Sequence, residues 1–162
     1  MKSNITHGGV GVEGHKAFFR VSEIHDADFL ANRLRDLDVR EVKAAGCGGA
    51  LEALLRGYYL SDECNTIVID QRPEGMFGVT PDYASGGLVW MLGTDSIKDI
   101  SFKFLRESKK WVNQKSGEYS RLYNYVGAEN TIAINWLRFL GFTFTDHITM
   151  RDMKFIGFER SS

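Results

Sequence analysis

The stretch that decides the fold reads NYVGAENTIAINWLRFLGFTF and spans Asn124–Phe144. Gly141 lies where a left-handed residue commonly ends a helix. Phe142 and Phe144 then alternate with threonines, which is the period of a strand. The stretch therefore predicts the end of one strand, a turn, a helix and the start of another strand. The apolar residues that give the helix its single buried face are Ile132, Trp136, Phe139 and Leu140.

The remaining elements alternate in a way that predicts an α/β domain. A strand is expected at Lys16–Val21, and a helix at Asp26–Leu37 follows it. Three closely spaced strands come next, and the short turns between them favour an antiparallel meander. The longest helix is expected at Ser96–Lys115, and two strands around an Arg151-Asp152 turn end the chain. We predict a mixed, mostly antiparallel sheet of six or seven strands flanked by about four helices.

Two acidic residues between the first helices are spaced like a capping box. Asp38 is suited to cap a following helix, and Glu41 comes three residues later. In that motif, the cap side chain and the later acid each accept a hydrogen bond from the other's backbone N–H. The pattern therefore predicts a local, structural role for both carboxylates.

Composition limits the classes of function. With 162 residues and a net charge of −1, the chain is expected to form one domain over residues 1–162, with a flexible arm at 1–14. Acidic and basic residues are interspersed, so no basic stripe indicates nucleic-acid binding. Cys47 and Cys64 form no CxxC pair, and the four histidines lack a metal-binding spacing, so no metal site is expected. The absence of a long apolar run predicts no membrane association.

Four residues follow the pattern Asn-x-x-Ala-(x)7-Gly-Phe: Asn130, Ala133, Gly141 and Phe142. This pattern resembles the signature of the GNAT superfamily, whose members transfer an acyl group from acyl-coenzyme A to an amine. Within that superfamily, the chain resembles the acetyltransferase-like internal virion protein family of short-tailed, T7-like phages. The segments that carry this second resemblance are SDEC (Ser61–Cys64), MFGV (Met76–Val79), WMLGTD (Trp90–Asp95), FLRESKKWV (Phe104–Val112) and NYVGAENTIAINWLRFLGF.

The resemblance implies a function and a place of action. Acetyl-coenzyme A would be the donor, and a primary amine of a small molecule or a host protein would be the acceptor. The protein would act in the host cytoplasm or be packaged in the virion beside other virion proteins. The alternative is an internal virion or host-interaction protein on a catalytically degenerate GNAT fold.

The resemblance also implies where coenzyme A lies. The strands Leu88–Leu92 and Leu122–Val126 would splay apart, with the pantetheine arm between them. The turn Gly93–Ser96 leads from a strand into a helix, and a helix N-terminus binds anions such as a pyrophosphate. Trp90 has a competing interpretation as core, and Asn130 has one as an N-cap. The predicted cofactor-binding residues are Trp90, Leu92, Gly93, Thr94, Ser96, Lys98, Ser101, Asn130 and Trp136.

The predicted catalytic residues depart from the GNAT pattern. Many GNAT enzymes have a tyrosine seven residues after the signature asparagine, as the acid for the thiolate, and Leu137 holds that position here. Tyr125 is the predicted substitute, and Tyr123, on the same strand face, is the fallback. Glu63 is the predicted base for the amine. Asp62 and Glu129 are alternatives to Glu63, and Cys64 is interpreted as a small core group rather than a nucleophile.

Overall fold

A computed structural model describes residues 9–10 and 16–162, so most of the arm predicted at 1–14 lies outside the described residues. The strands are β1 Gly9–Val10, β2 Lys16–Val21, β3 Glu63–Ile69, β4 Arg72–Asp82, β5 Gly86–Gly93, β6 Arg121–Gly127, β7 Thr143–Met150 and β8 Met153–Ser161. The helices are α1 Ile24–Ala31, α2 Asp36–Ala44, α3 Ala50–Leu60, α4 Phe102–Glu118 and α5 Thr131–Phe139, with a 3₁₀ helix at Asp95–Asp99.

All eight strands form one sheet in the order β1-β2-β3-β4-β5-β6-β8-β7. Among the described strands, β5 and β6 are the parallel neighbours and every other pair is antiparallel. The predicted mixed, mostly antiparallel sheet is confirmed, with seven longer strands and the two-residue β1 at one edge.

The helices cover opposite faces of the sheet. On one face, Leu30 of α1 and Leu54 of α3 are fully buried against β3, β4 and β5. On the other face, Phe104 and Trp111 of α4 pack against β2, β3 and β4, as predicted. α5 joins α4 on that second face over β6, where Leu122 is fully buried. The two faces of the β5–β6 junction therefore meet different helices.

Two helix predictions near the N-terminus were wrong. The helix expected at Asp26–Leu37 ends at Ala31, and α2 starts separately at Asp36. Arg33 lies in the break and binds the Glu74 carboxylate at 2.8 Å, a contact 41 residues away in sequence. The Asp38 capping box does not form, because α2 begins two residues earlier and Asp38 binds other groups. Both errors arise from long-range contacts that override a local pattern.

The long helix begins later than predicted. A 3₁₀ helix capped by Thr94 occupies Asp95–Asp99, and α4 then starts at Phe102 instead of Ser96. Ser101 is the N-cap, and its Oγ accepts a hydrogen bond from the Phe104 N–H at 3.2 Å. A serine cap satisfies one of the unpaired N–H groups that every helix start exposes.

Candidate functional site

A cleft opens between the two parallel strands in the middle of the sheet. β5 and β6 pair only at Gly87 with Leu122 and at Leu88 with Tyr123, and no pairing follows towards their C-terminal ends. The Asn124 side chain bridges the point of divergence by donating to the Val89 carbonyl at 2.8 Å. The split that was predicted at β6 is therefore confirmed. We call the gap beyond this bridge, up to the ends of β5 and β6, the cleft.

Helix α2 spans the open end of the cleft and binds both strands. Asp38 Oδ2 accepts from the N–H of Gly93, the last residue of β5, at 2.9 Å. Glu41 Oε1 accepts from the N–H of Gly127, the last residue of β6, at 3.0 Å. Residues three apart on a helix lie on one face, so a single turn of α2 reaches both sides of the cleft.

Glu41 also contacts the signature asparagine. Its Oε1 accepts from Asn130 Nδ2 at 3.1 Å, while Asn130 Oδ1 accepts from the Ala133 N–H at 3.3 Å. Asn130 is therefore the N-cap of α5 and turns its amide towards Glu41 at the cleft end. The N-cap interpretation of Asn130 is confirmed, and its place beside the pantetheine stays a prediction. Within the part of the chain that the structure describes, no side chain or backbone group donates to Glu41 Oε2.

Glu41 approaches from the face opposite α4 and α5. Side chains alternate along β6, and Leu122 and Val126 point to the α4–α5 face. A Cβ on Gly127 would point the other way, and it would come far too close to Glu41 Oε1. The missing side chain at Gly127 is what admits Glu41. Burial raises the pKa of Glu41, and the nearby charge of Asp38 raises it further, against the hydrogen bonds from Asn130 and Gly127 and the charge of Arg35.

Asp38 has a buried cation as its second partner. Arg35 Nη2 donates to Asp38 Oδ1 at 2.7 Å, and the two residues are 8% and 2% exposed. The Arg35 N–H also donates to the Gly93 carbonyl at 2.9 Å. Burial raises the pKa of Asp38 despite this pairing. Two hydrogen bonds to Gly93 thus fix the start of α2 to the end of β5, and the Arg35–Asp38 ion pair at the same helix start holds the Asp38 acceptor in place.

Three of the four N–H groups of the predicted anion site at Gly93–Ser96 are engaged. Gly93 donates to Asp38, Thr94 donates to the Glu74 carbonyl, and Ser96 donates to Thr94 Oγ1 at 3.2 Å. The Thr94 hydroxyl also donates to the Glu74 carboxylate. These N–H groups are used within the protein.

The start of α4 offers positive charge nearby. Ser101 caps the helix, and Lys98 is exposed just before it. The first nine residues of α4 contain one acid, Glu107, against four exposed cations: Lys103, Arg106, Lys109 and Lys110. A helix N-terminus and these cations together favour an anion there.

The predicted wall residues lie on both faces of the sheet. Trp90 and Leu92 pack against the cluster under α1 and α3, and Trp90 Nε1 donates to Ser61 Oγ at 2.8 Å. Gly57 of α3 lies directly against the Trp90 indole, so this ring is part of the packing between α3 and β5. Trp136 is half-buried on α5, on the opposite face.

The two predicted tyrosines point to the same face as Glu41. The Tyr125 hydroxyl donates to Asp146 Oδ2 over 3.4 Å, and the residue is 38% exposed. The Tyr123 hydroxyl donates to Asp82 Oδ2, and burial followed by that carboxylate raises the pKa of Tyr123. Tyr125 is held less firmly than Tyr123, and it precedes Gly127 by two residues on the same side of β6.

Glu63 lies away from the cleft, under α4. Its Oε1 accepts from Trp111 Nε1 at 2.9 Å and from Asn65 Nδ2 at 3.0 Å, and Lys115 pairs with the other oxygen. Burial alone would raise the pKa of Glu63, but the hydrogen bonds from these donors lower it. The Glu63 carboxylate, with three donors, is poorly prepared to accept another proton.

Burial raises the pKa of Cys64 to about 11, which suits a small core group.

The described residues contain no group of three or more side chains that could hold a metal ion. None of the helices in residues 16–162 is both long and apolar enough to cross a membrane.

Solved structures with the same architecture carry acetyltransferase names. The GNAT domain of S. lividans PAT is 12% identical, covers 97% of each chain and gives a TM-score of 0.69. An acetyltransferase of the GNAT family from Streptococcus pneumoniae is 15% identical, and the match covers 90% of this chain and 98% of that one with a TM-score of 0.60. The fold is that of the GNAT acetyltransferases. Spermidine N-acetyltransferase from Vibrio cholerae, in complex with CoA and spermine, is also 15% identical and covers 90% and 95%, with a TM-score of 0.60. No protein-family model and no curated protein sequence matches this chain.

Sequence reasoning missed the role of α2 at this GNAT-type cleft. Glu41 meets Gly127 and Asn130, which are 86 and 89 residues away in sequence. The one sequence signal was the pair of acids three residues apart, and that spacing also fits a capping box.

Proposed function

We propose that this protein is an N-acetyltransferase that transfers the acetyl group of acetyl-coenzyme A to a primary amine of a small molecule or a host protein. The observation that carries the proposal is the cleft between β5 and β6, with Asn130 and Glu41 at its open end. We further propose, from the five phage-like segments alone, that the protein is phage-encoded and acts in the host cytoplasm or in the virion.

The residues around the cleft suit coenzyme A. Lys98, Ser101 and Lys103, at the start of α4, would hold its phosphates, because a helix N-terminus and two exposed cations meet there. The gap between β5 and β6 would take the pantetheine arm. Coenzyme A supplies an acetyl thioester there. The GNAT-type structure from Vibrio cholerae contains CoA, which supports the same use of this fold.

The chain itself would contribute positioning and proton transfer. Holding an amine against a thioester in a defined geometry lowers the barrier by several kcal/mol, since a bimolecular encounter becomes a local one. Tyr125 is the proposed proton donor to the departing sulfur; its hydroxyl bonds Asp146 of β7 over 3.4 Å, so the ring would have to turn from β8 back towards the cleft. Leu137 cannot serve, as it is an apolar residue packed between α5 and the sheet.

A second candidate is an internal virion or host-interaction protein without catalysis. Two observations favour it: Leu137 replaces the expected tyrosine, and the N–H groups of Gly93 and Thr94 already have acceptors in the protein. A descendant of an acyltransferase that no longer bound acetyl-coenzyme A would need neither the tyrosine nor unpaired N–H groups. A fold alone does not fix a function.

Calorimetric titration with acetyl-coenzyme A, followed by a turnover assay, tests the proposal. We expect saturable binding and release of free coenzyme A with at least one amine from a panel of spermidine, glucosamine and a lysine-containing peptide. Binding without turnover would favour the second candidate. No binding of acetyl-coenzyme A would refute the enzyme.

A further inference from the structure

We propose that Glu41 is the residue that binds the acceptor amine and removes its proton. The inference rests on the proposed acetyl transfer and names the group that would prepare the amine for it. Glu63, the base predicted from the sequence, faces α4 and has three donors of its own. Glu41 has the position and the unused oxygen that Glu63 lacks.

The two oxygens of Glu41 have different surroundings. Oε1 accepts from both Gly127 N–H and Asn130 Nδ2, and these two bonds fix the plane of the carboxylate. Oε2 has no donor among the described residues and is left to bind a ligand. An amine or ammonium group donates hydrogen bonds, and a charged acceptor makes the stronger ones.

The two faces of the cleft present different groups. The cations at the start of α4 lie on one face of the sheet, where an anionic donor substrate would be attracted. Glu41 reaches the cleft from the other face, whereas the Tyr125 ring on that face leans over Gly157 of β8 towards Asp146 of β7. On that face the Glu41 carboxylate can accept from an ammonium group, and the adjacent pocket beside Ala128 is lined by Arg40, Lys43, Arg151 and Lys154 as well as two acids. Donor and acceptor would therefore enter from opposite faces and meet at the ends of β5 and β6.

The chemical environment of Glu41 suits a base. Burial and the neighbouring Asp38 raise its pKa, so the carboxylate binds a proton more readily than an exposed glutamate. A general base works best when its pKa approaches the working pH. Glu63, whose pKa is lowered, is shifted in the unfavourable direction.

The proton balance of the step is simple. The bound ammonium gives one proton to Glu41 Oε2 and becomes a neutral amine. The nitrogen lone pair forms the new N–C bond to the acetyl carbon while the C–S bond breaks, and the sulfur takes the electron pair as a thiolate. The second amine proton ends on the sulfur, by way of Tyr125 or water. Glu41 returns its proton to solvent, so the net release is one proton.

Two substitutions separate this role from a purely structural one. Glu41→Gln keeps an oxygen that accepts from Gly127 and Asn130 but cannot take a proton. Gly127→Ala keeps the Glu41 carboxylate but forces it out of position, because the added Cβ would overlap with Oε1. Asp36→Asn is the matched control, since Asp36 is an exposed acid on the same helix, paired only with Arg40.

We expect Glu41→Gln to bind acetyl-coenzyme A like the wild type while its turnover falls about 10²–10⁴-fold, the usual loss for a general base. Gly127→Ala should fall by a similar factor, and Asp36→Asn should match the wild type. Turnover by Glu41→Gln within about threefold of the wild type would overturn the proposal, as that range is far below a general-base effect.

A second measurement separates this proposal from the proposed function. If the wild type transfers no acetyl group, affinity for the same amines is measured by calorimetry on the coenzyme A-loaded protein. If Glu41→Gln binds the amine more weakly than Asp36→Asn does, Glu41 is still the amine-binding residue, and only the proposed acetyl transfer is refuted. Equal affinity of the two variants, or no amine binding by either, would overturn the Glu41 assignment as well.

Discussion

Asp38 and Glu41 of α2 make matched contacts with the strand ends, yet they should respond oppositely to substitution. Asp38→Ala leaves the Arg35 guanidinium buried without its partner, and it removes the acceptor of the Gly93 N–H. Breaking a buried ion pair by removing one member typically costs about 3–5 kcal/mol. For a chain of this size, 1 kcal/mol shifts Tm by roughly 2–4 °C, so we expect Asp38→Ala to melt about 6–20 °C lower.

Glu41→Gln should cost little, and the sign of its pH dependence can be worked out. The pKa of Glu41 is raised in the folded state, so the folded protein binds this proton more tightly than the unfolded chain. Wild-type stability therefore falls as pH rises from the ordinary carboxyl pKa, about 4.3, through the raised value. The Glu41→Gln variant has no carboxyl group at this position, so its stability does not fall in this way as pH rises. Relative to the wild type, Glu41→Gln should gain stability as pH rises and should not melt lower at neutral pH.

Thermal unfolding followed by circular dichroism, at about pH 4 and about pH 7 on either side of the expected titration, measures both effects. Asp38→Asn is the graded control, because its amide oxygen still accepts from Gly93 while the charge is lost. A melting temperature for Asp38→Ala within about 2 °C of the wild type would show that the Arg35–Asp38 pair does not hold α2, since this is less than 1 kcal/mol. If Glu41→Gln fell as far as Asp38→Ala, Glu41 would be a structural link and not a base.

Three further outcomes are expected. Acetyl-coenzyme A at 100 times its Kd should stabilise the fold by about 2.7 kcal/mol, which is a Tm increase of about 5–11 °C. The increase should be smaller for Lys98→Glu, and an equal increase in the variant would show that Lys98 does not contact coenzyme A. Tyr125→Phe should lower turnover about 10²–10⁴-fold at unchanged coenzyme A affinity, with Tyr123→Phe less affected, whereas full activity in both would assign the proton to water. Burial alone would raise the pKa of Asp26, but Arg20 and its other donors lower it. Asp26 therefore stabilises the fold above the ordinary carboxyl pKa, and this stability is lost as pH falls through the lowered pKa of Asp26. In the Asp26→Asn variant, Tm should fall less steeply at acid pH than in the wild type.

Local periodicity was enough to predict the elements around the cleft. Helical spacing and a following glycine, both visible within a few residues, predicted α5. Its predicted buried face was wrong except at Leu140, which packs against the core with Ala133, Ile134 and Leu137. The period of two placed Tyr123 and Tyr125 on one face of β6. Gly141 has a φ of 91°, as its position after the helix required.

Long-range contacts explain what could not be predicted. The helix expected at Asp26–Leu37 breaks because Arg33 binds Glu74 across 41 residues. Glu63 was an attractive base on sequence grounds, but Trp111 and Lys115 of α4 surround it, and no local pattern reveals that contact. In each case the partner is distant in sequence and comes close only in the tertiary fold.

Helix α2 also bears on the choice between an enzyme and a degenerate fold. A protein that needs only the architecture gains nothing from a partly buried carboxylate with a raised pKa, since an uncharged acceptor would satisfy the Gly127 N–H at lower cost. Asp38 offsets its burial with Arg35, whereas among the described residues Glu41 pairs with no cation and its Oε2 accepts no hydrogen bond. Unfavourable charge burial of this kind is typical of functional sites, where stability is given up for chemistry. The proposed amine site gives this carboxylate a role that packing alone does not supply.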